Sequence, residues 1–256
     1  MSVKKTYLAM PFDEHRRVFV YLPSGYRKSD KRYPVLYMYD GHNLFFDDTA
    51  TYGKCWGLKE YLDARKAQII VIGVECSHEG NERLSEYSPY SFYNRHLGRV
   101  KGKGKITMDW MSTELKAWAD ANFRTMPERE HTAIAGSSMG GLMAIWSVSA
   151  YNHVYSKAAC LSSFLHYNHQ KILRSLDHPY GADTRAYISW GAEEFSSRKY
   201  LAMGTEENLN AANVLLKNGV SVYLNQPVKG QHNEASWEKE IDVFMRFLFP
   251  EIVEKG

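Results

Sequence analysis

Cysteine is scarce in this chain of 256 residues. It carries three, Cys55, Cys76 and Cys160, an odd number with no CxxC pair. Neither a disulfide framework nor a zinc site of common spacing is therefore indicated. Long apolar runs are missing too. Nowhere do about 18 apolar residues follow one another, so no membrane-spanning helix is expected. The opening stretch MSVKKTYLAMPFDEHRR has one short apolar run, broken by Pro11 and Asp13, which predicts no secretory leader. A reduced, cytoplasmic protein is the expectation. Charge of one sign is not in excess: 32 Lys and Arg against 29 Asp and Glu leave +3. That is too little to mark a nucleic-acid binder or a binder of anionic membranes. No repeat, low-complexity segment or Pro/Ser-rich linker divides the sequence, so one domain over residues 1–256 is predicted.

What is present is ordinary globular composition, 44% hydrophobic and 24% charged, with an aromatic share of 14% that suits a lined pocket as well as a filled core. Short apolar runs at 18–22, 35–39, 68–74, 132–135, 158–162, 186–190 and 220–225 read as strands. Several are continuously apolar, as strands covered on both faces are. Between them, helical patterns fall at about 57–64, 108–122, 140–151, 206–218 and 234–249. Gly219 is placed to cap the fourth and Pro250 to stop the last. This alternation predicts an α/β fold with a mostly parallel central sheet and helices on both faces.

Two connections, 41–57 and 76–105, exceed what a link needs, and loops of that length are commonly functional or mobile. The run Lys101-Gly-Lys-Gly-Lys105 lacks the spacing of a phosphate loop and follows no strand, so an exposed flexible turn is expected there.

The segment Gly136-Ser137-Ser138-Met139-Gly140 fits GxSxG between a short apolar strand and an amphipathic helix. A nucleophile at such a sharp turn has strained backbone, and only residues without Cβ fit two positions before and after it. The turn lifts Oγ above the sheet and aims the following amides at a developing oxyanion. Of the two adjacent serines, only Ser138 has glycine on both sides at that spacing.

Serine needs a base to take its proton and a third group to orient the base. Among ten histidines, His232 stands in a polar loop between the last strand and the final helix, where the carboxyl-end chemistry of an open sheet gathers. His166, His169 and His178 match no zinc spacing and read as a solvated loop. The acid should follow a strand between Ser138 and His232. After the strand at 186–190, Glu193 and Glu194 compete: one should be buried against the imidazole Nδ1–H and the other exposed. Asp177 and Asp183 precede that strand.

Taken together, these motifs resemble the esterase branch of the α/β-hydrolases, which includes feruloyl and acetyl-xylan esterases, S-formylglutathione hydrolase, enterobactin esterases and mycolyltransferases. The resemblance rests on residues 33–45 (YPVLYMYDGHNLF), 81–89 (NERLSEYSP), 135–141 (AGSSMGG), 191–194 (GAEE) and 230–237 (GQHNEASW), and it covers nearly the whole chain. It implies a single α/β-hydrolase domain without a large separate cap domain. It also implies Glu194 as the acid, and the backbone N–H groups of His42 and Met139 as oxyanion donors.

The expected activity is that of a serine carboxylesterase working through an acyl-enzyme, with acetyl or hydroxycinnamoyl groups on sugars as the first guess at substrate. No metal or cofactor is required. An acyltransferase with the same triad is the alternative, and a non-catalytic binding protein on the same fold the remote one. Trp56, Tyr87, Tyr90, Phe164 and Trp190 are candidate pocket residues, with core packing as the competing role for each. A homodimer is the default expectation for assembly.

Overall fold

A computed structural model describes residues 2–12 and 14–253. Eight strands form the central sheet: β1 (Ser2–Met10), β2 (Glu14–Leu22), β3 (Val35–Tyr39), β4 (Ile70–Val74), β7 (Thr132–Ser137), β8 (Lys157–Leu161), β9 (Arg185–Ser189) and β10 (Ser221–Asn225). A separate hairpin is made by β5 (Phe92–Asn94) and β6 (Gly98–Val100). The sheet order is β1-β2-β4-β3-β7-β8-β9-β10. β2 runs antiparallel to both of its neighbours, β1 and β4, and the six strands from β4 to β10 in that order run parallel. The mostly parallel sheet read from the sequence is therefore present as a single unit, the α/β-hydrolase arrangement, and no second domain or cap is found among the described residues.

Parallel strands need helical crossovers that cover both faces, which explains why β3, β4 and β8 are buried along their whole length. The alternation of β3 sends Val35, Tyr37 and Tyr39 to one face and Leu36 and Met38 to the other. The first face is covered by α3 (Gly104–Trp110), a π turn at Met111–Leu115, α4 (Lys116–Asn122), α5 (Met139–Ala150), α6 (His169–Leu176) and α7 (Arg198–Lys217). The second is covered by α1 (Leu58–Ala64), α8 (Glu234–Glu238), α9 (Ile241–Leu248) and α10 (Pro250–Val253). The short α2 (Glu82–Glu86) lies in the long second connection. No helix among the described residues is long and apolar enough to cross a membrane.

Several expectations need correction. The opening stretch is an edge strand, β1, alternately exposed along its length. The last helix is two, divided at Lys239–Glu240, and Pro250 begins a further short helix. α7 begins at Arg198, eight residues before the predicted onset, and is capped by Ser197, whose side chain accepts the Tyr200 amide. Lys101–Lys105 is not a free turn: Gly104 is buried at the start of α3, and a Cβ there would come within 2.7 Å of the Ser88 carbonyl. Lys103 is tied to Glu82 at 2.5 Å. Gly219 does occupy the left-handed position after α7, at φ 90°.

Candidate active site

The turn between β7 and α5 carries Ser138 at φ 58° and ψ −119°, a conformation that costs a side chain about 1–3 kcal/mol unless its surroundings hold it. Those surroundings are close-packed glycine. A Cβ on Gly136 would lie 2.7 Å from the Gly140 carbonyl carbon, and one on Gly140 would lie 3.0 Å from Tyr39 Cβ. Gly141, unassigned from the sequence, packs so closely that a Cβ there would come within 2.6 Å of the Leu161 carbonyl oxygen. The Ser138 amide bonds the Leu161 carbonyl at 3.0 Å, and its own carbonyl accepts from the Phe164 amide at 3.1 Å. The end of β8 thus clamps the turn from the side. Ser138 is half-buried and reaches the cleft, whereas Ser137 is buried.

Glu194 and His232 meet on the loops after β9 and β10. His232 Nδ1 lies 3.2 Å from Glu194 Oε2. The histidine side chain is 39% exposed and the carboxylate only 6%, so the carboxylate is shielded while the imidazole faces the cleft. Glu193 points elsewhere, accepting from Gln231 Nε2 at 3.2 Å on the surface. Of the two adjacent glutamates, the structure therefore sets Glu194 against the imidazole. The loops approach this closely because both carry glycine: a Cβ on Gly191 would run into the Gly230 carbonyl.

Glu194 is held from behind by groups that sequence reasoning left without a role. Its Oε1 accepts from the Ser162 hydroxyl at 2.5 Å and from the Gly191 amide. Ser162 Oγ in turn accepts from Trp237 Nε1 at 2.8 Å. Trp237 also sets its ring edge-on to His232, with centroids 5.3 Å apart. One indole therefore braces both members of the pair. Trp237 stood within the 230–237 motif, but Ser162, at φ 48° beyond β8, offered no local signal.

The other wall of the cleft is the turn after β3. His42 lies in the short 3₁₀ turn Gly41–Asn43, and Met139 is the first residue of α5. Amides in a first helical turn have no intrahelical acceptor, so both are free to serve an external oxygen. Asp40, at φ 55°, sets the turn. Its amide donates to the Tyr87 hydroxyl at 3.2 Å, and its carboxylate takes two bonds from Arg83, at 2.8 and 2.7 Å. Burial alone would raise the Asp40 carboxyl, but the Arg83 guanidinium holds it below the usual carboxylate range. Burial pushes the His42 imidazole below its ordinary range.

Two cavities meet at Ser138 and His232. One, of about 420 Å³, is lined by Phe164, Leu165, Trp190 and Phe195, with His166 and Glu207 at its edge. The other, of about 390 Å³, is polar, with His42, Thr51, Tyr52, His78, Arg83 and Glu234. Phe164 and Trp190 thus line the cleft. Trp56, Tyr87 and Tyr90 are placed elsewhere: Trp56 packs on Trp237 beneath the sheet, Tyr87 supports Asp40, and Tyr90 packs edge-on to Trp146. Nor do His166, His169 and His178 form a solvated loop. His166 bonds Glu207 at 2.9 Å, His169 opens α6, and His178 contacts Ser149 at 2.9 Å, so the three do not converge.

Residues 10–248 match the family described as "Putative esterase", and the chain belongs to that family. It is a hydrolase of ester bonds. An uncharacterized protein of Bacillus subtilis, YbbA, is 21% identical over 182 residues, 70% of this chain and 69% of that protein. Esterase Rv1288 of Mycobacterium tuberculosis is 32% identical over 145 residues, 56% of this chain but only 28% of its own length. Among solved structures, an IroE-like serine hydrolase from Shewanella oneidensis superposes with a TM-score of 0.79 at 18% identity, covering 98% of this chain and 81% of the other. An S-formylglutathione hydrolase of Staphylococcus aureus gives 0.63 at 18%, over 96% of both chains. At these identities the structures establish the shared fold.

Proposed function

We propose that the protein is a serine carboxylesterase that cleaves small acyl esters through Ser138, His232 and Glu194. The observation that carries this reading is the buried Glu194 carboxylate bonded to His232 Nδ1 beside the strained serine turn. His232 Nε2 takes the Ser138 proton as Oγ attacks the ester carbonyl, and Glu194 stabilises the imidazolium that forms. The amides of Met139 and His42 receive the oxyanion, each contributing roughly 3–4 kcal/mol in comparable sites. His232 then protonates the leaving alcohol. In the second half, it removes a proton from water, which attacks the acyl-enzyme and frees the acid.

The two cavities divide the substrate. The apolar one, with Phe164, Trp190 and Phe195, suits the acyl group, and the polar one, with Arg83, His78 and Glu234, suits a hydroxylated alcohol such as a sugar. The exposure of His232 leaves water free to reach the base, which favours hydrolysis over transfer to a second alcohol. Hydrolysis of p-nitrophenyl acetate, butyrate and octanoate by the native protein and by Ser138→Ala tests the proposal. Turnover of the shorter esters that falls at least about a thousandfold in the variant is expected. Inactivity of the native protein on all three, or near-normal turnover by the variant, would overturn it.

A further inference from the structure

The polar cavity holds a side-chain cluster that takes no part in the proton transfers of the proposed reaction. His42, Cys76 and His78 each place one potential ligand atom within 4.8 Å of the other two. They converge because β3 and β4 are parallel neighbours whose carboxyl ends feed the two loops, with Gly41 packed directly on Gly73. A Cβ on either glycine would force the loops apart.

The histidines are prepared in the same way. His42 Nε2 is bonded to Thr51 Oγ1 at 3.0 Å, and His78 Nε2 to Glu75 Oε1 at 3.0 Å. Each ring is thereby oriented through one nitrogen, leaving Nδ1 as the other. Imidazoles that bind metals are commonly anchored in this manner, with the far nitrogen on a carboxylate or other oxygen. His42 Nδ1 is moreover buried without a hydrogen-bond partner, in a residue only 2% exposed. An orphaned buried nitrogen beside a thiol and a second imidazole needs a partner. The rings lie edge to face with centroids 4.8 Å apart.

We propose that His42, Cys76 and His78 bind one zinc ion, and that its occupancy blocks the polar half of the cleft and inhibits the enzyme reversibly. Two imidazoles and a thiolate select zinc or a similar borderline cation over magnesium or calcium, and they leave a fourth position for water. On binding, the Cys76 thiol gives up its proton to solvent and the sulfur electron pair forms the metal–sulfur bond. Tetrahedral zinc–sulfur and zinc–nitrogen bonds of about 2.3 and 2.0–2.1 Å put the ligand atoms about 3.4–3.6 Å from one another. From separations of up to 4.8 Å, the cluster must tighten by at most about 1.4 Å. His78, with a side chain 57% exposed, is the member free to do so. The inhibitory clause rests on the esterase reading, whereas binding does not.

Titration of the full chain with Co²⁺ separates the two. One equivalent should bind with a thiolate-to-cobalt charge-transfer band in the near ultraviolet, and Zn²⁺ should displace it. Cys76→Ser should lose the band, and the exposed substitution His78→Ala should weaken binding at least about tenfold. Absence of stoichiometric binding, or binding that survives both substitutions, would overturn the site. Zn²⁺ should also lower p-nitrophenyl acetate turnover at least tenfold in the native protein and much less in His78→Ala, each compared with itself without metal. Binding without inhibition would overturn the blocking role alone. A metal-free protein with no esterase activity would instead refute the proposed reaction, leaving the cobalt titration to judge the site.

Discussion

Ser162 offers a way to measure how much the support behind Glu194 matters. Replacing it by alanine removes the donor 2.5 Å from Glu194 Oε1 and the acceptor 2.8 Å from Trp237 Nε1. A hydrogen bond to a charged group contributes about 1.5–3 kcal/mol, and stranding the buried indole N–H costs about 1–3 kcal/mol. The Gly191 amide still holds Oε1, and His232 still holds Oε2. Part of the loss should therefore fall on stability and part on the geometry of the pair. We expect kcat/KM for p-nitrophenyl acetate to fall about 10–100-fold, mainly in kcat, equivalent to roughly 1.4–2.7 kcal/mol. Urea unfolding should show a loss of about 1–3 kcal/mol. Trp237→Phe keeps the ring beside His232 but removes Nε1–H, so its activity should lie between Ser162→Ala and the native protein. An unchanged kcat/KM in Ser162→Ala would refute the bracing role. A loss as deep as that of Ser138→Ala would mean that Ser162 belongs to the reacting groups themselves.

Other consequences follow from the same geometry. Glu194→Gln should reduce kcat/KM at least about a hundredfold, because the amide cannot stabilise the imidazolium, while Glu193→Gln should remain within about twofold. The reverse order in a side-by-side assay would move the acid by one residue. Gly41→Ala puts a methyl group into the Gly73 carbonyl, and denaturant unfolding should show about 1–3 kcal/mol of destabilisation. Activity should fall as well, since the His42 amide moves with that turn. Burial tends to raise the Asp183 carboxyl, but the Arg129 hydrogen bond outweighs it and sets it below the ordinary range. Its contribution is therefore present above the unfolded value of about 4 and lost as pH falls through the folded one. Asp183→Asn should cost under about 1 kcal/mol at pH 7, the pair being partly exposed, and nothing by about pH 2. Equal costs at both pH values, read by urea midpoints, would contradict the linkage.

The sheet was legible in the sequence because fully covered parallel strands leave uninterrupted apolar runs, as at 35–39 and 70–74. The serine turn was legible because its glycines are demanded by local backbone contacts, and local contacts leave fixed spacings. Edge strand β1 was not, since its single packed face and its lysines weaken the apolar signal. The hairpin of β5 and β6 has only three residues per strand, too few for a period to register. Nor could the pocket aromatics be sorted. Trp56 and Trp190 are both buried, and only the tertiary fold turns Trp190 to the cleft and Trp56 to Trp237. Ser162 and the cluster of His42, Cys76 and His78 depend on loops that neighbouring strands bring together, and no spacing within the chain encodes that.

The central claim is that Ser138 is the nucleophile, and covalent labelling tests it most directly. Treatment with a fluorophosphonate, followed by intact-mass and peptide mass spectrometry, should give one adduct per native chain, on the peptide carrying Ser138. The Ser138→Ala protein should stay unlabelled under the same conditions. An adduct on Ser137 or another residue, or equal labelling of the native protein and Ser138→Ala, would contradict the account.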